Sequence, residues 1–466
     1  MEVISIFDIF KIGVGPSSSH TLGPWKAALN FSNSLLDVNF DKIEVRLYGS
    51  LSKTGKGHAT GKAIQLGLLG YDPETIQTDQ IVNILKELKS KQKITIQNNS
   101  FSFESEKHIV FTNKSKPGHP NTIKFKIYKK RKLIRETTYY SIGGGFITEK
   151  DKELAEISKK RIPFPIQNSK ELKKYIEQES LSIFEIILAN EVALQPKKKV
   201  KARIELLFLT IKNTILNGVI NEGILPGGLN VVRRAKVLFE SLSNTSIETW
   251  EDLEIVVYSK TWNFNEINQW ISCFAMAVNE ENAAMGRIVT APTNGAAGVI
   301  PSVLMYYYFF CKHQFDDDIE QFFLVAGEIA SLFKKGATLS AAMGGCQAEI
   351  GVSSAMAAAA LTNLMGGTYE QVLMAAEIAM EHHLGLTCDP IGGLVQIPCI
   401  ERNTMGAMKA ITASNLALSF DPTNSKVDLD TVIKTMWDTA KSMDSRYKET
   451  AEGGLAFNIS VTLPEC

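Results

Sequence analysis

Residues 42–49 read KIEVRLYG, a run in which apolar and polar side chains alternate. Alternation with a period of two places the apolar side chains on one face of a β-strand. The segment TIKFKIY, residues 122–128, repeats this pattern, and the short segments KITIQ and HIVFT between the two runs have the same character. The first third of the chain is therefore predicted to form a sheet with one buried face.

Two segments between these strands have helical spacing. Residues 58–70 (HATGKAIQLGLLG) and 78–90 (TDQIVNILKELKS) carry apolar residues three and four positions apart. That spacing is typical of amphipathic surface helices, so we expect helices to cover one face of the sheet. Residues 1–150 are accordingly predicted to form an α+β domain.

A change of composition follows this domain. A charged segment with two prolines, Pro163 and Pro165, predicts a linker at residues 151–174. Beyond it the chain is rich in Ala, Leu, Met and Glu at helical spacing, interrupted by the turns PGGLN, APTNGAAG, MGGC, MGGT and DPIGG. Residues 175–466 are predicted to form an all-α domain with a C-terminal tail.

Composition and charge limit the kinds of molecule that the protein is expected to bind. Lys and Arg total 50, and so do Asp and Glu, so net charge gives no reason to expect nucleic acid or a membrane surface as partner. The most apolar segment, residues 296–311, contains Gly298 and Pro301 and is shorter than the ~20 residues that span a bilayer. The N-terminus lacks the pattern of a secretory signal, and six cysteines in so long a chain favour reduced thiols. We expect a cytoplasmic protein that acts on a small molecule.

The loop GPSSSHTLGP, residues 15–24, contains a dense run of hydrogen-bonding side chains. These are Ser17, Ser18, Ser19, His20 and Thr21. A helix N-terminus after such a loop attracts anions, and the run exceeds what a simple helix cap requires. We interpret it as a binding loop for a substrate carboxylate.

Two further loops are candidates for binding or catalysis. In TGKGHATGKA, residues 54–63, His58 is flanked by glycines and is a candidate proton acceptor, although an ordinary surface turn is the alternative. In TAPTNGAAG, residues 290–298, Thr290, Thr293, Asn294 and Gly295 precede an apolar helix and suit a substrate carboxylate or ammonium. Helix capping is the alternative there.

Cysteines in the second half of the chain suggest a metal centre. Those that lie in small-residue or proline-bounded loops, or at the last position, are Cys346, Cys388, Cys399 and Cys466. Thiolates are the ligands of iron-sulfur clusters, and three of them can hold a four-iron cube with one iron open to substrate. Their spacing matches no compact ferredoxin or zinc pattern. Structural zinc is the alternative, since it too accepts four thiolates. Cys273 and Cys311 lie in apolar stretches and are expected to serve packing.

Taken together, these motifs carry a family resemblance. They are PSSSHT, TGKGHATGKA, SIGGGF, NEENAA with TAPTNGAAG, GCQAEIG, EHHLGLTCDPIGGLVQIPCIERN and RYKETAEGGLA. The chain resembles the single-chain iron-sulfur L-serine dehydratases, or L-serine ammonia-lyases, over nearly its whole length. The resemblance implies an N-terminal domain like the allosteric substrate-binding domain of some phosphoglycerate dehydrogenases, a helical catalytic domain, a 4Fe-4S cluster and a homodimer.

The chemistry implied by this resemblance is the conversion of L-serine to pyruvate and ammonia, a step of amino-acid degradation and gluconeogenesis. His58 is the expected base, with His20 next in line. The polar loop, Asn294 and Gly295 are expected to hold the substrate. Cys466, on the terminal segment, is expected to ligate the fourth iron until substrate displaces it.

Three alternatives stay open on the sequence. A pyridoxal-phosphate dehydratase would perform the same reaction, but no lysine-centred motif with a phosphate loop is present. An L-cysteine desulfhydrase would use similar loops. A non-enzymatic amino-acid sensor with a structural metal belongs to another class, and metal and sulfide analysis would distinguish it.

Overall fold

The computed structural model describes residues 2–112, 114, 119–150, 161–312, 317–450 and 452–459. Cys466 and residues 151–160 of the predicted linker lie outside these ranges. The domain bounds drawn from the sequence therefore stay predictions.

A mixed sheet forms the first region of the chain. The strands are β1 (Ile12–Val14), β2 (Lys42–Gly49), β3 (Lys93–Ile96), β4 (Asn99–Ser102), β5 (Ile109–Phe111), β6 (Asn121–Lys129), β7 (Lys132–Ser141), β8 (Ile147–Glu149) and β9 (Arg287–Val289). The main sheet has the order β5-β2-β6-β7-β8, in which only β2 and β5 are parallel, and β3 and β4 form a separate hairpin. KIEVRLYG is β2, and its Ile43, Val45 and Leu47 are fully buried, as the alternation predicts.

Helices cover one face of this sheet and build the rest of the molecule. They are α1 (Ile6–Ile9), α2 (Gly23–Asn33), α3 (Ser50–Lys53), α4 (Thr60–Leu68), α5 (Ile81–Lys91), α6 (Ser105–His108), α7 (Ser169–Glu179), α8 (Ile183–Leu194), α9 (Lys197–Ile220), α10 (Ala235–Ser243), α11 (Trp250–Tyr258), α12 (Phe264–Ala283), α13 (Val299–Phe310), α14 (Asp318–Gly336), α15 (Ala341–Gly344), α16 (Ile350–Leu364), α17 (Tyr369–Glu381), α18 (Cys399–Ser419), α19 (Leu429–Ser442) and α20 (Gly454–Asn458). Phe31 of α2 stacks on Phe125 of the sheet with ring centroids 4.7 Å apart. The predicted α+β region followed by a helical region is confirmed.

The helical region is organised around α16. Every side chain of this helix except Asn363 is buried, because α13, α14, α17 and α18 pack around it. Its run of small residues, MAAAAL, lets these neighbours approach closely, and a helix that is apolar all round is typical of a core position. The apolar segment that the sequence assigns to a buried helix is α13. In the described part of the chain, no helix combines the length and apolar character needed to cross a lipid bilayer.

The first residues of the chain belong to the core of the helical region. Ile6 packs against Gly327 of α14, and the rings of Phe10 and Phe323 meet edge to face at 5.0 Å. Strand β1 then pairs antiparallel with β9, which lies between α12 and α13. Burying each large apolar side chain contributes about 1.5–3 kcal/mol, so this segment is firmly held. Because of this pairing, the loop GPSSSHT, residues 15–21, lies against the helical region.

Candidate active site

The polar loop after β1 forms a buried π-helical turn, Ser18–Leu22, before α2. Ser17 caps it, because its hydroxyl accepts a hydrogen bond of 3.2 Å from the backbone N–H of His20. Gly15 is required upstream, since a Cβ there would lie 1.9 Å from the carbonyl oxygen of Asn282 in α12. The side chain of Asn282 donates to the carbonyl of Pro16 at 2.8 Å. The loop is therefore pressed against the helical region.

Ser19 and His20 contact a carboxylate from the far end of the chain. The Ser19 hydroxyl donates to Oε1 of Glu449 at 2.9 Å, and Nδ1 of His20 lies 3.1 Å from the same oxygen. Nε2 of His20 lies 3.0 Å from the hydroxyl of Ser50. Burial acts to raise the pKa of Glu449, but the charge and hydrogen bond of His20 outweigh it and hold that pKa below its usual value. The other oxygen, Oε2, is buried and has no hydrogen-bond partner among the described residues.

His58 lies against His20, with ring centroids 4.7 Å apart, and is 1% exposed. Its Nδ1 is 2.9 Å from the carbonyl oxygen of Thr54, and because a carbonyl only accepts, Nδ1 carries the proton. Nε2 is then the basic nitrogen. Burial, and secondly the charge of His20, lower the pKa of His58 to about 4. The ring is consequently neutral near pH 7 and able to accept a proton.

Threonine hydroxyls fasten the two histidine loops together. Thr21 donates to the carbonyl of His58 at 2.6 Å, and Thr60 donates to the carbonyl of His20 at 2.5 Å. These buried bonds fix the relative position of the two imidazoles, and a fixed geometry is what a catalytic pair requires.

The loop before α13 contributes buried polar atoms to the same region. The Asn294 amide donates to the carbonyl of Val14 at 3.2 Å, and its Oδ1 has no partner among the described residues. The hydroxyl of Thr290 instead donates to the carbonyl of Ile9 at 2.7 Å and accepts from the N–H of Lys11, so it joins two segments of backbone. Thr293 is 1% exposed. Of this predicted set, Asn294 thus offers a free acceptor, whereas the Thr290 hydroxyl is committed to the fold.

The loops of Cys346 and Cys388 are tied to each other. Cys346 lies in a 3-10 turn, Gly345–Ala348, whose Gln347 N–H donates to the carbonyl of Leu386 at 3.1 Å. Gly345 has φ +71°, and a Cβ there would lie 2.8 Å from that same carbonyl. Glycine is needed at this point because it alone tolerates both the conformation and the close approach. Two distant cysteines are thereby brought side by side.

Cys346, Glu349 and Cys388 place their ligand atoms within 4.8 Å of one another and could hold a metal ion. Cys399, the first residue of α18, lies outside this set, but it shares the neighbourhood because the charges of Cys346 and Arg402 act on its thiol. The guanidinium of Arg402 is 3.5 Å from Sγ of Cys346 and 3.0 Å from Asp389 Oδ1. Gly295 lies against this set too, since a Cβ there would be 3.1 Å from a carboxylate oxygen of Glu349.

The chemistry of these thiols suits a metal cofactor. None of Cys346, Cys388 and Cys399 forms a disulfide, and each is under 10% exposed. The hydrogen bond between Cys346 and Cys388 lowers the pKa of the first and raises that of the second, and burial raises the pKa of Cys399. Buried thiols resist ionisation in apolar surroundings, whereas a bound metal ion deprotonates them outright. A bound metal ion would therefore stabilise the thiolate form of this donor set.

Backbone pairing joins the histidine and cysteine groups. Lys448 forms a parallel bridge with Cys388, whose N–H donates to the carbonyl of Tyr447 at 2.8 Å. Glu449, the residue after Lys448, therefore lies next to the loop of Cys388. Its side chain contacts Ser19 and His20. The N-terminal region and the helical region therefore contact each other at this point.

Sequence reasoning missed several polar residues of the site. These are Ser50, Glu349, Asp389, Arg402 and Glu449. Glu449 lies in the motif RYKETAEGGLA, but its partner Ser19 is 430 positions away, so no local pattern relates them. In the sequence, Glu449 is visible only as an acidic residue among polar residues, shortly before a pair of glycines.

Fold and site together describe a candidate metalloenzyme centre, in which residues 447–449 link the buried histidines to a set of soft metal ligands. Comparison with known proteins agrees with this class. Residues 178–456 match the family model "Serine dehydratase alpha chain", and residues 5–152 match "Serine dehydratase beta chain". The chain therefore belongs to the serine dehydratase family.

Relatives in this family align over almost the full length. An L-serine dehydratase of Haemophilus influenzae is 44% identical, over 98% of this chain and 99% of the relative. L-serine dehydratase 1 of Escherichia coli is 40% identical, and an L-serine dehydratase of Streptomyces coelicolor is 42% identical, with the same coverage. Both regions of the chain are thus shared with these enzymes.

Proposed function

We propose that this chain converts L-serine to pyruvate and ammonia at a 4Fe-4S cluster held by Cys346, Cys388 and Cys399. The observation that carries the proposal is the pairing of Lys448 with Cys388, which joins the buried histidine pair, of which His58 is neutral, to a set of buried thiols. The relatives named L-serine dehydratase, aligned end to end, support the choice of substrate.

A cluster fits the arrangement of ligands better than a single ion. A single zinc ion would gather its ligands in one coordination sphere, and in the described residues that sphere comprises Cys346, Glu349 and Cys388 without Cys399. In a cluster each iron takes its own thiolate, so the sulfurs need not meet at one point. Cys399, the third buried thiol, then serves as a ligand of the proposed cluster.

When bound, such a cluster supplies an open iron that acts as a Lewis acid on the β-hydroxyl and carboxylate of serine. His58 Nε2 accepts the Cα proton, since its Nδ1–H is held by Thr54. The hydroxyls of Ser17, Ser18 and Ser19, with Asn294 Oδ1 and Gly295, are proposed to fix the substrate. Thr21 is proposed to support them, because its hydroxyl donates to the carbonyl of His58. Loss of the proton and of hydroxide gives aminoacrylate, which tautomerises and hydrolyses to pyruvate and ammonia.

Burial of the polar loop supports this chemistry. Ser17, Ser18, Ser19 and His20 are each at most 5% exposed, so water has little access to them. In a site of low dielectric constant, fixed hydrogen bonds and charges act more strongly on a developing charge than they do in water. The chain is thus arranged to hold a small polar molecule away from solvent.

Anaerobic purification is expected to yield about four iron and about four sulfide per chain, together with serine-dependent pyruvate formation that is lost when the iron is chelated. Iron, zinc, sulfide and pyruvate measured on one preparation test this. One zinc without sulfide would instead support the amino-acid sensor with a structural metal. A higher kcat/KM for L-cysteine than for L-serine would support the desulfhydrase.

We further propose that Cys466 ligates the fourth iron in the resting protein and is displaced by substrate. A thiolate tethered to the same chain has a raised local concentration at the open iron. Replacing Cys466 with serine is expected to leave iron and sulfide content near normal and to shorten the lag before steady turnover, measured by continuous pyruvate assay. An unchanged lag and unchanged cluster stability would reject this role.

A homodimer, implied by the family resemblance, is also proposed. Exposed apolar side chains support it. Val232 and Val237 lie on either side of Arg234 in the sequence. Arg234 donates to Glu401, which precedes the exposed Met405 by one helical turn. Exposed apolar side chains around a common ion pair suit an interaction surface.

A further inference from the structure

The proposed function leaves one part of L-serine without a partner in the protein, its α-ammonium group. Bringing an ammonium ion into a buried site is costly unless an anionic or hydrogen-bonding acceptor compensates it. In the described part of the site, three carboxylates lie close enough to be considered. They are Glu349, Asp389 and Glu449.

Two of these carboxylates are poorly suited. Asp389 is already saturated, because Oδ1 accepts from Thr387 and Arg402 and Oδ2 accepts from the N–H of Leu455 at 2.8 Å. Glu349 lies among the sulfurs of Cys346 and Cys388, which become thiolates when they ligate metal. Glu349 is therefore placed as a neighbour or ligand of the metal centre and not as a free acceptor for an ammonium group.

Glu449 has the complementary properties. Oε1 is held by the Ser19 hydroxyl and His20, both on the N-terminal side of the site. Oε2 is buried and has no hydrogen-bond partner among the residues that the structure describes. A buried carboxylate with one oxygen fixed and the other free is a preorganised acceptor, because binding requires no rearrangement of its side chain.

The surroundings of Glu449 also suit an amino acid. On one side the imidazole of His20 lies against that of His58, the proposed base. On the other side the backbone of Glu449 continues from the bridge to Cys388, beside the proposed cluster. A substrate whose ammonium meets Oε2 would lie in the region shared by the proposed base and the proposed metal centre.

We propose that Oε2 of Glu449 binds the α-ammonium group of the substrate and thereby selects amino acids over hydroxy acids that lack the amine. This inference rests on the proposed function and adds a residue that recognises the substrate. Glu449 is not itself a proton donor or acceptor in this scheme.

The test compares L-serine with 3-hydroxypropanoate, which is serine without its amino group, in the Glu449→Gln variant. Glutamine keeps the size of the side chain and an oxygen for Ser19 but removes the charge. We expect kcat/KM for L-serine to fall at least tenfold, as for loss of a charge-assisted hydrogen bond, and the inhibition constant of 3-hydroxypropanoate to change less than twofold. If the variant is too slow to assay, L-serine itself can be titrated against it calorimetrically, beside 3-hydroxypropanoate.

Controls separate recognition from damage to the fold. Glu452→Gln alters an exposed carboxylate in the same segment, paired with Lys53, and should change neither constant. Glu449→Asp keeps the charge and should recover part of the preference for L-serine. All variants are compared at equal iron and sulfide content. Equal weakening of both ligands in Glu449→Gln overturns the inference, whereas a wild-type protein that makes no pyruvate overturns the proposed function instead.

Discussion

Replacing His58 with alanine is expected to abolish serine turnover while leaving the proposed cluster in place. The ring is buried and neutral, with Nδ1–H held by Thr54, so Nε2 is the group available to remove the Cα proton. General-base catalysis contributes about 10²–10⁴-fold, and kcat should fall by at least about a hundredfold. Pyruvate formation under anaerobic conditions measures the loss, and the visible absorbance of the cluster shows whether the centre persists.

A second buried histidine provides the matched control. His383 is 2% exposed, its Nδ1 bonds the carbonyl of Ala379 at 2.6 Å, and burial lowers its pKa to about 4 as well. Because His383 does not contact the paired histidines, His383→Ala should retain the cluster and most of the activity. Near-normal turnover in His58→Ala would transfer the role of base to His20.

Replacing Cys346 with serine should remove both the cluster and the activity. Its thiol lies with Cys388 at the centre of the ligand set, where Arg402 favours the thiolate, and a serine hydroxyl is too hard and too weakly acidic to replace it. Iron and sulfide per chain are expected to fall to a small fraction of the wild-type content. Pyruvate formation should fall with them, by at least about a hundredfold.

Cys273 serves as the comparison for this variant. It is also fully buried, but it lies in α12, its Sγ is 3.5 Å from the carbonyl of Ala235, and burial raises the pKa of its thiol. A serine there keeps a donor for that carbonyl, so Cys273→Ser should retain iron, sulfide and turnover. Full cluster content in Cys346→Ser would remove this cysteine from the ligand set.

Features with a local cause could be predicted from the sequence. The bounds of β2 equal those of KIEVRLYG, because alternation along a strand records burial directly. The loops of His20 and His58 were found because a polar run and a glycine-flanked histidine are conspicuous in a short window. The buried helix α13 was likewise visible as an apolar run.

Features that depend on distant partners could not be predicted. Glu449 meets Ser19 only after the whole chain has folded, and nothing in RYKETAEGGLA specifies that contact. The hydroxyl of Thr290 matched a substrate-binding pattern, yet it bonds the backbone of Ile9, since β9 pairs with β1. In both cases the pairing partner lies hundreds of positions away.

The N-terminal strand joins the sheet-bearing region to the helical region. Because Ile6, Phe10 and β1 are embedded among helices α12 to α14, the sheet-bearing part is held to the rest by more than the peptide that connects them. A backbone cut between residues 150 and 161 would leave two fragments held together by the pairing of β1 with β9. The same architecture could accordingly be encoded as two separate polypeptides that assemble when β1 of one pairs with β9 of the other. Neither polypeptide would then be complete without its partner.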